Sequence, residues 1–394
     1  MPALRLGMPH PERNFRQAGG YDESMLSTQP STAIDGLDLP PAEHIRALLR
    51  DMVPREAADL HLVPGYAPTY RIHGRLEPVE AQALDASSVA DMIHAILPDA
   101  VRRRMSEAKD ADCSIAIERD GIHCRFRANV AYAQGTLSAC FRYVPNDIPT
   151  FDWMGFPRGL ASRLADLPNG LVIITGITGS GKTTTLAALI NLLNEQGGYR
   201  IITVEEPIEF VYPRNDRSVI TQREVGVDVD SFYDGLKYGL RQDPDVILVG
   251  EIRDRETAAM ALSAAETGHL IFATMHTRDA KGAITRFVDL FPHAAQDDVR
   301  TQLALSLRSV VSQHLLPSAR EGEKRVLALE VMHVNHPVRV GIRFGKIESI
   351  ESAIQTGRRD GLVSLDESLQ NLVSTGRISI ETARRHAKDP DSFR

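Results

Sequence analysis

The stretch Gly176-Ile177-Thr178-Gly179-Ser180-Gly181-Lys182-Thr183 follows an unbroken apolar run, Leu171 to Thr175, and opens a helical segment. It matches G-x-x-x-x-G-K-[ST] in the strand–loop–helix context that this pattern needs. Glycines permit a tight loop whose N–H groups all point at a phosphate, and the helix N-terminus adds partial positive charge. In this reading Gly176, Thr178, Gly179, Ser180, Gly181, Lys182, Thr183 and Thr184 cradle the phosphates of ATP. Lys182 reaches the β- and γ-phosphates, and Thr183 holds magnesium through its hydroxyl. A chance glycine-rich turn is the bland alternative, and the agreement of strand, loop, lysine, hydroxyl and helix speaks against it.

A loop of this kind calls for a parallel sheet, and the following sequence has its rhythm. "LVIIT", "RIITVE", "VILVG" and "LIFATM" are short apolar runs of the buried parallel-strand type, separated by helical segments. They predict a doubly wound α/β domain over residues 161–295. Ligands bind such sheets at the carboxyl ends of the strands, so the residues that end the runs matter. They are Glu205 with Glu206, then Glu251, then Thr274, His276 and Thr277. Two glutamates can divide the work of holding hydrated magnesium and of polarising an attacking water. Glu205 as water activator and Glu251 on the magnesium side is the preferred order, though the residues leave it open, and either alone could be a solvated strand-end charge. His269 and His276 frame one run and invite a metal reading. Seven residues of extended chain span about 23 Å at ~3.3 Å per residue, too far for one ion. His276 is the candidate γ-phosphate sensor, and His269 reads as a structural hydrogen-bonder at the other end of the sheet.

Before this domain, residues 1–40 mix Pro, Gly, Ser and charge without apolar periodicity and read as a flexible leader. Residues 41–145 carry a helical stripe in "AEHIRALLRDMV", strands in "ADLHL" and "PTYRIHGRLEPV", a second helix near "ASSVADMIHAILP", a hairpin turning at Asp120-Gly121, and a strand in "TLSACFRYVP". That is a smaller α+β domain with an antiparallel sheet, joined by a Pro-interrupted linker over 146–160. Residues 296–394 read as mostly helical. Val299, Leu303, Leu307, Val310 and Val311 share one face of a long helix there, and Ser364 to Glu367 forms a capping box. Developing phosphate charge needs cations, and Arg125, Arg127 and Arg142 of the first domain are candidates, with Arg241 a weaker one. Arg125 and Arg127 flank Phe126 and so share a strand face, and they read equally as solvated edge-strand charges or as fingers supplied in trans by a neighbouring subunit.

Composition narrows the partners. With 394 residues and 43% apolar content the chain can bury two cores, and its net charge of −7 offers no general attraction to nucleic acid or anionic lipid. No apolar run approaches the ~20 residues of a membrane span, and the first thirty residues lack a secretory core, so a cytoplasmic protein is expected. Cys113, Cys124 and Cys140 have no metal-ligand spacing and read as buried small apolar residues.

The motifs together resemble the secretion ATPase superfamily, and most closely the type IV pilus retraction ATPases, the PilT family. The resemblance covers nearly everything after residue 40. It rests on "ADLHL", "RFRAN" and "FRYVP" in the first domain and on "GITGSGKTTTLAALI" as the Walker A loop. "VEEPIEF" stands at the acidic Asp box, "DPDVILVGEIRD" at a Walker B with Glu for Asp, and "AAETGHLIFATMHT" at the His box. It implies a PAS-like N-terminal domain, a RecA-like ATPase domain, and a hexameric ring whose ATP sites lie near domain and subunit boundaries. It also implies site roles for Glu205, Glu251 and His276, first-domain arginines that reach phosphate, and an inner-membrane platform protein as partner at the cytoplasmic face.

The chain also departs from the family. Ile177 replaces the usual Pro, and Glu206 the usual Asp. Where retraction ATPases carry an "AIRNLIRE"-like segment, residues 337–346 keep only part of it, while the following "SAIQTGRRDGLVSLDESL" again resembles the retraction branch. No tetracysteine motif is present, which argues against the pilus-extension and type II secretion branch. Three rivals to retraction stand: a related ATPase of a type IVB secretion or conjugation apparatus, an accessory nucleotide-binding subunit of a pilus motor, and a DNA translocase. The last lacks basic bias or an aromatic platform.

Overall fold

The computed structural model describes residues 39–79, 82–119, 122–144, 147–320 and 322–393. The expected leader, but for its last two residues, lies outside the described residues, as do the Asp120-Gly121 turn and the Pro145-Asn146 pair of the expected linker.

Apolar residues spaced three and four apart let the first helix, Pro41–Met52, bury Ile45, Leu48, Leu49 and Met52. The helix Ala86–Ile96, started by the Asp85 carboxylate accepting from Ser88 N, packs beside it. Together they close a core over an antiparallel sheet. Its strands are β1 (Ala57–Leu62), β2 (Thr69–Ile72), β3 (Arg75–Pro78), β4 (Asp110–Arg119), β5 (Ile122–Ala133) and β6 (Thr136–Val144), in the order β3-β2-β1-β6-β5-β4. Alternation in β5 buries Cys124, Phe126, Ala128 and Val130 and turns Arg125 and Arg127 to the opposite face. In β6 Phe141 is buried and Arg142 exposed, and Arg142 lies directly across from Arg127.

The second sheet contains β7 (Gly170–Thr175), β8 (Arg200–Glu205), β9 (Val219–Glu224), β10 (Val246–Val249), β11 (Leu270–Met275), β12 (Leu307–Leu316) and β13 (Val326–His333), in the order β13-β12-β7-β11-β10-β8-β9. All pairs are parallel except β12 with β13. Every position of β7, β10 and β11 is buried because helices cover both faces. Arg158–Ala165 and Lys182–Gln196 pack on one face. Arg255–Glu266, Ala280–Asp289 and Gln296–Ser306 pack on the other. The result is the RecA-like, doubly wound α/β arrangement that the apolar runs predict.

The helix expected to carry Val299 through Val311 stops at Ser306, and Leu307, Val310 and Val311 belong to β12. The cause is physical: a strand buried on both faces shows no alternation, so its apolar residues fit a helical stripe equally well. The β-branched pair Val310-Val311 favours the strand. Beyond β13 the chain is helical over His336–Arg343, Ile347–Thr356, Leu365–Ser374 and Ile380–His386. Ser364 caps the third of these, its hydroxyl accepting from Glu367 N at 3.2 Å.

Candidate nucleotide site

The strand order sets the carboxyl ends of β12, β7, β11, β10 and β8 side by side, and the loop 176–181 leaves β7, between β12 and β11. Gly181 precedes the helix Lys182–Gln196, which has no side-chain cap, so its first N–H groups are left for an anion. Gly176 has φ +148°. A Cβ there would fall on Ser180 Oγ and within 2.5 Å of the Gln313 carbonyl oxygen, so only glycine lets the loop close. Lys182 Nζ donates to the carbonyls of Gly176 and Ile177, at 2.9 and 3.2 Å. Burial pushes its ammonium below the ordinary lysine range, against the upward pull of Glu251 and Glu209. Ser180 Oγ is buried and has no partner.

Glu205, the last residue of β8, is buried, and burial pushes its carboxyl up to about 7. Thr203 Oγ1 at 2.6 Å and Gln222 Nε2 at 3.2 Å donate to its Oε1 and work downward. Glu251 follows Gly250 at the end of β10. Burial raises its carboxyl, but the Arg253 hydrogen bond, the Arg253 charge and His276 outweigh burial and hold it below the ordinary range. Arg253 Nη2 is 2.8 Å and His276 Nε2 is 3.1 Å from Glu251 Oε2, while Arg253 Nη1 reaches Glu206 at 3.1 Å. Thr175 accepts from Thr277 N at 2.9 Å and donates to the Met275 carbonyl at 3.0 Å, which ties the end of β7 to that of β11.

Thr178 to Thr184, Glu205, Glu251 and His276 line one cleft of about 710 Å³, with Arg127 and Arg142 on its first-domain wall. Gly176 lies behind Lys182. Arg142 Nε is held 2.7 Å from Asp59 Oδ1, and Arg127 lies 3.9 Å from Glu209. Two expected residues are not brought in. Arg125 donates to the Ile208 carbonyl at 3.1 Å and sits 3.4 Å from the buried Glu224, so its charge serves a contact between the two sheets. Arg241 lies in the turn Leu240–Gln242 that precedes β10 and therefore at the amino edge of the sheet, away from the cleft. His269 Nδ1 lies 3.0 Å from the Ala264 carbonyl, at that same edge.

Residues not singled out by the sequence also shape the site. Arg253 stands two positions after Glu251, a spacing that could have marked it. Gln313 of β12 donates to Thr185 Oγ1 at 2.8 Å, and no local signal pointed to it because its strand read as helix.

Residues 38–392 match the family described as "Type II/IV secretion system protein". The chain belongs to that family. The type IV pilus retraction ATPase PilT of Pseudomonas aeruginosa is 41% identical over 349 residues, 89% of this chain and 99% of that protein. A crystal structure of the pilus retraction motor PilT with bound ADP superposes with TM-score 0.78 at 37% identity, over 88% of this chain and 97% of that one. The Legionella pneumophila ATPase DotB gives TM-score 0.77 at 26% identity, over 91% and 97%. Among family features, the uncapped helix, the glycine that admits no Cβ and the unpartnered Ser180 hydroxyl fit a phosphate chain. The donor set also fits magnesium. Among the described residues no group of three His, Cys, Asp or Glu side chains is placed to hold a metal ion, so an ion at Thr183 and Glu251 would take its other ligands from phosphate oxygens and water.

Arg253→Ala is expected to lower turnover about ten-fold, because it removes the group that orients both Glu251 and Glu206. It should also move the Glu251 carboxyl upward, so the acid limb of the pH–rate profile shifts to higher pH. An unchanged profile would show that Arg253 does not set the state of Glu251.

Proposed function

We propose that this chain is a motor ATPase that couples ATP hydrolysis to retraction of type IV pili. The observation that carries the reading is the meeting in one cleft of the Lys182 loop, two glutamates with opposite carboxyl shifts, His276 and two arginines. Likeness to a retraction ATPase over nearly its whole length supports the mechanical role. Lys182 and the helix N-terminus would hold the β- and γ-phosphates. Glu205, whose carboxyl changes state near neutral pH, would take the proton of the attacking water, and Glu251, held ionised, would face magnesium with Thr183. When bound, magnesium would neutralise charge on the phosphate oxygens. His276, joined to Glu251, would report the γ-phosphate, and Arg127 and Arg142 would stabilise transferred charge.

In this reading copies assemble as a hexameric ring at the cytoplasmic face of the inner membrane, against a platform protein, and domain motions remove pilin subunits. No helix among the described residues is long and apolar enough to cross a membrane, which suits a peripheral position. The fold by itself does not separate retraction from the work of an ATPase like DotB, since the two TM-scores are nearly equal. A strain with chromosomal Lys182→Ala separates them. Excess surface pili with lost twitching is expected; unchanged pili and movement would transfer the chain to another machine.

A further inference from the structure

The chain has one tryptophan, and it stands at the cleft. Trp153 belongs to the short helix Phe151–Met154, started by Thr150, whose hydroxyl accepts from Trp153 N at 3.2 Å. The residue is 57% exposed although it lines the cleft. Lys324 Nζ sits 4.2 Å from the ring centroid and also donates to the Trp153 carbonyl oxygen. Met154, Ala187 and Leu327 also line the cleft and belong to one apolar cluster. Ala187 lies about 7 Å further along its helix than Lys182, at ~1.5 Å per residue. Beyond the phosphate cradle, then, the cleft gains an aromatic and apolar wall, edged by Lys324 and Arg325.

We propose that Trp153 is the base-binding residue of this site: the nucleotide's purine stacks on the indole face that Lys324 leaves open. This deepens the ATPase reading and rests on it. Lys324 holds the indole by a cation–π contact and a backbone hydrogen bond, so the ring is oriented before the base arrives. A flat, polarisable surface of this size suits a π-system and does nothing for a phosphate.

The test uses the emission of this sole tryptophan in the full chain, titrated with ADP and separately with inorganic tripolyphosphate, with calorimetry in parallel. ADP is expected to change the emission saturably and tripolyphosphate is not. Trp153→Ala should raise KM for ATP about ten-fold, the scale of one lost base–aromatic stack, and Trp153→Phe should recover most of it. Heat of ADP binding with unaltered emission, or an unaltered KM in Trp153→Ala, overturns the stacking assignment alone. Absence of any ADP binding overturns the nucleotide reading as well. Emission that follows protein concentration and ignores nucleotide also overturns the assignment and makes Trp153 a contact between copies.

Discussion

Glu205→Gln is expected to reduce ATP hydrolysis about a thousand-fold, within the range for loss of a general base, while making the protein more stable above neutral pH. Both effects come from burial of one carboxyl. An ordinary Glu loses its proton near 4.5, and Glu205 in the folded chain does so at about 7. Between these values the folded protein keeps a proton that the unfolded chain has released. Stability therefore falls as pH rises through this window, and above about 7 the full cost of a buried charge is present. A shift from 4.5 to about 7 corresponds to roughly 3–4 kcal/mol, at about 1.4 kcal/mol per unit. Glutamine carries no such cost, and its Oε1 can still accept from Thr203 and Gln222. Thermal melts should show a higher Tm for Glu205→Gln at pH 8 and little difference at pH 4. Wild-type hydrolysis should rise as pH passes through about 7, and the residual rate of the variant should lose that rise. A variant that hydrolyses normally, or that melts alike with wild type at both pH values, would remove Glu205 from the role of base.

Much of this site is legible in the sequence because parallel sheets turn chain order into place. Glu205, Glu251 and His276 stand where apolar runs end, Lys182 follows the loop after another such run, and a parallel sheet brings the ends of its strands to one edge. What escapes is anything that depends on which strands are neighbours or on how the two sheets meet. Arg125 and Arg127 have the same pattern and share a face, yet Arg127 lines the cleft while Arg125 is engaged by Glu224. Two residues of strand, about 7 Å, separate a cleft residue from a contact between the sheets. Arg241 lies away from the cleft for a simpler reason, since it precedes a strand and so stands at the sheet's other edge. β12 was hidden because burial on both faces erases period-two alternation, and Gln313 was hidden with it.

The second large effect is expected at Glu224, where the two sheets are joined. Its side chain is buried, and its oxygens accept from Ser114 N at 2.8 Å, from Ile208 N at 3.1 Å and from the Ser114 hydroxyl, with Arg125 Nη2 at 3.4 Å. Ser114 and Arg125 come from β4 and β5 of the first sheet, whereas Ile208 follows Glu205, the last residue of β8 in the second. One carboxylate thus fastens the first sheet to the segment that carries the proposed base. Glu224→Ala would leave two N–H groups and the Ser114 hydroxyl without their acceptor and take the carboxylate from the half-buried Arg125, which keeps the Ile208 carbonyl, and is expected to cost roughly 3–5 kcal/mol. Glu224→Gln keeps one acceptor and should cost less. Urea unfolding is the direct measurement, and an unshifted midpoint in Glu224→Ala would show that the contact contributes nothing to stability. Hydrolysis in the same variant, measured well below its unfolding midpoint, tests the link to function. A loosened Ile208 frees the chain three residues after Glu205, so turnover should fall even though no group facing the cleft has changed. If turnover holds while stability drops, Glu224 fastens the sheets without positioning the site.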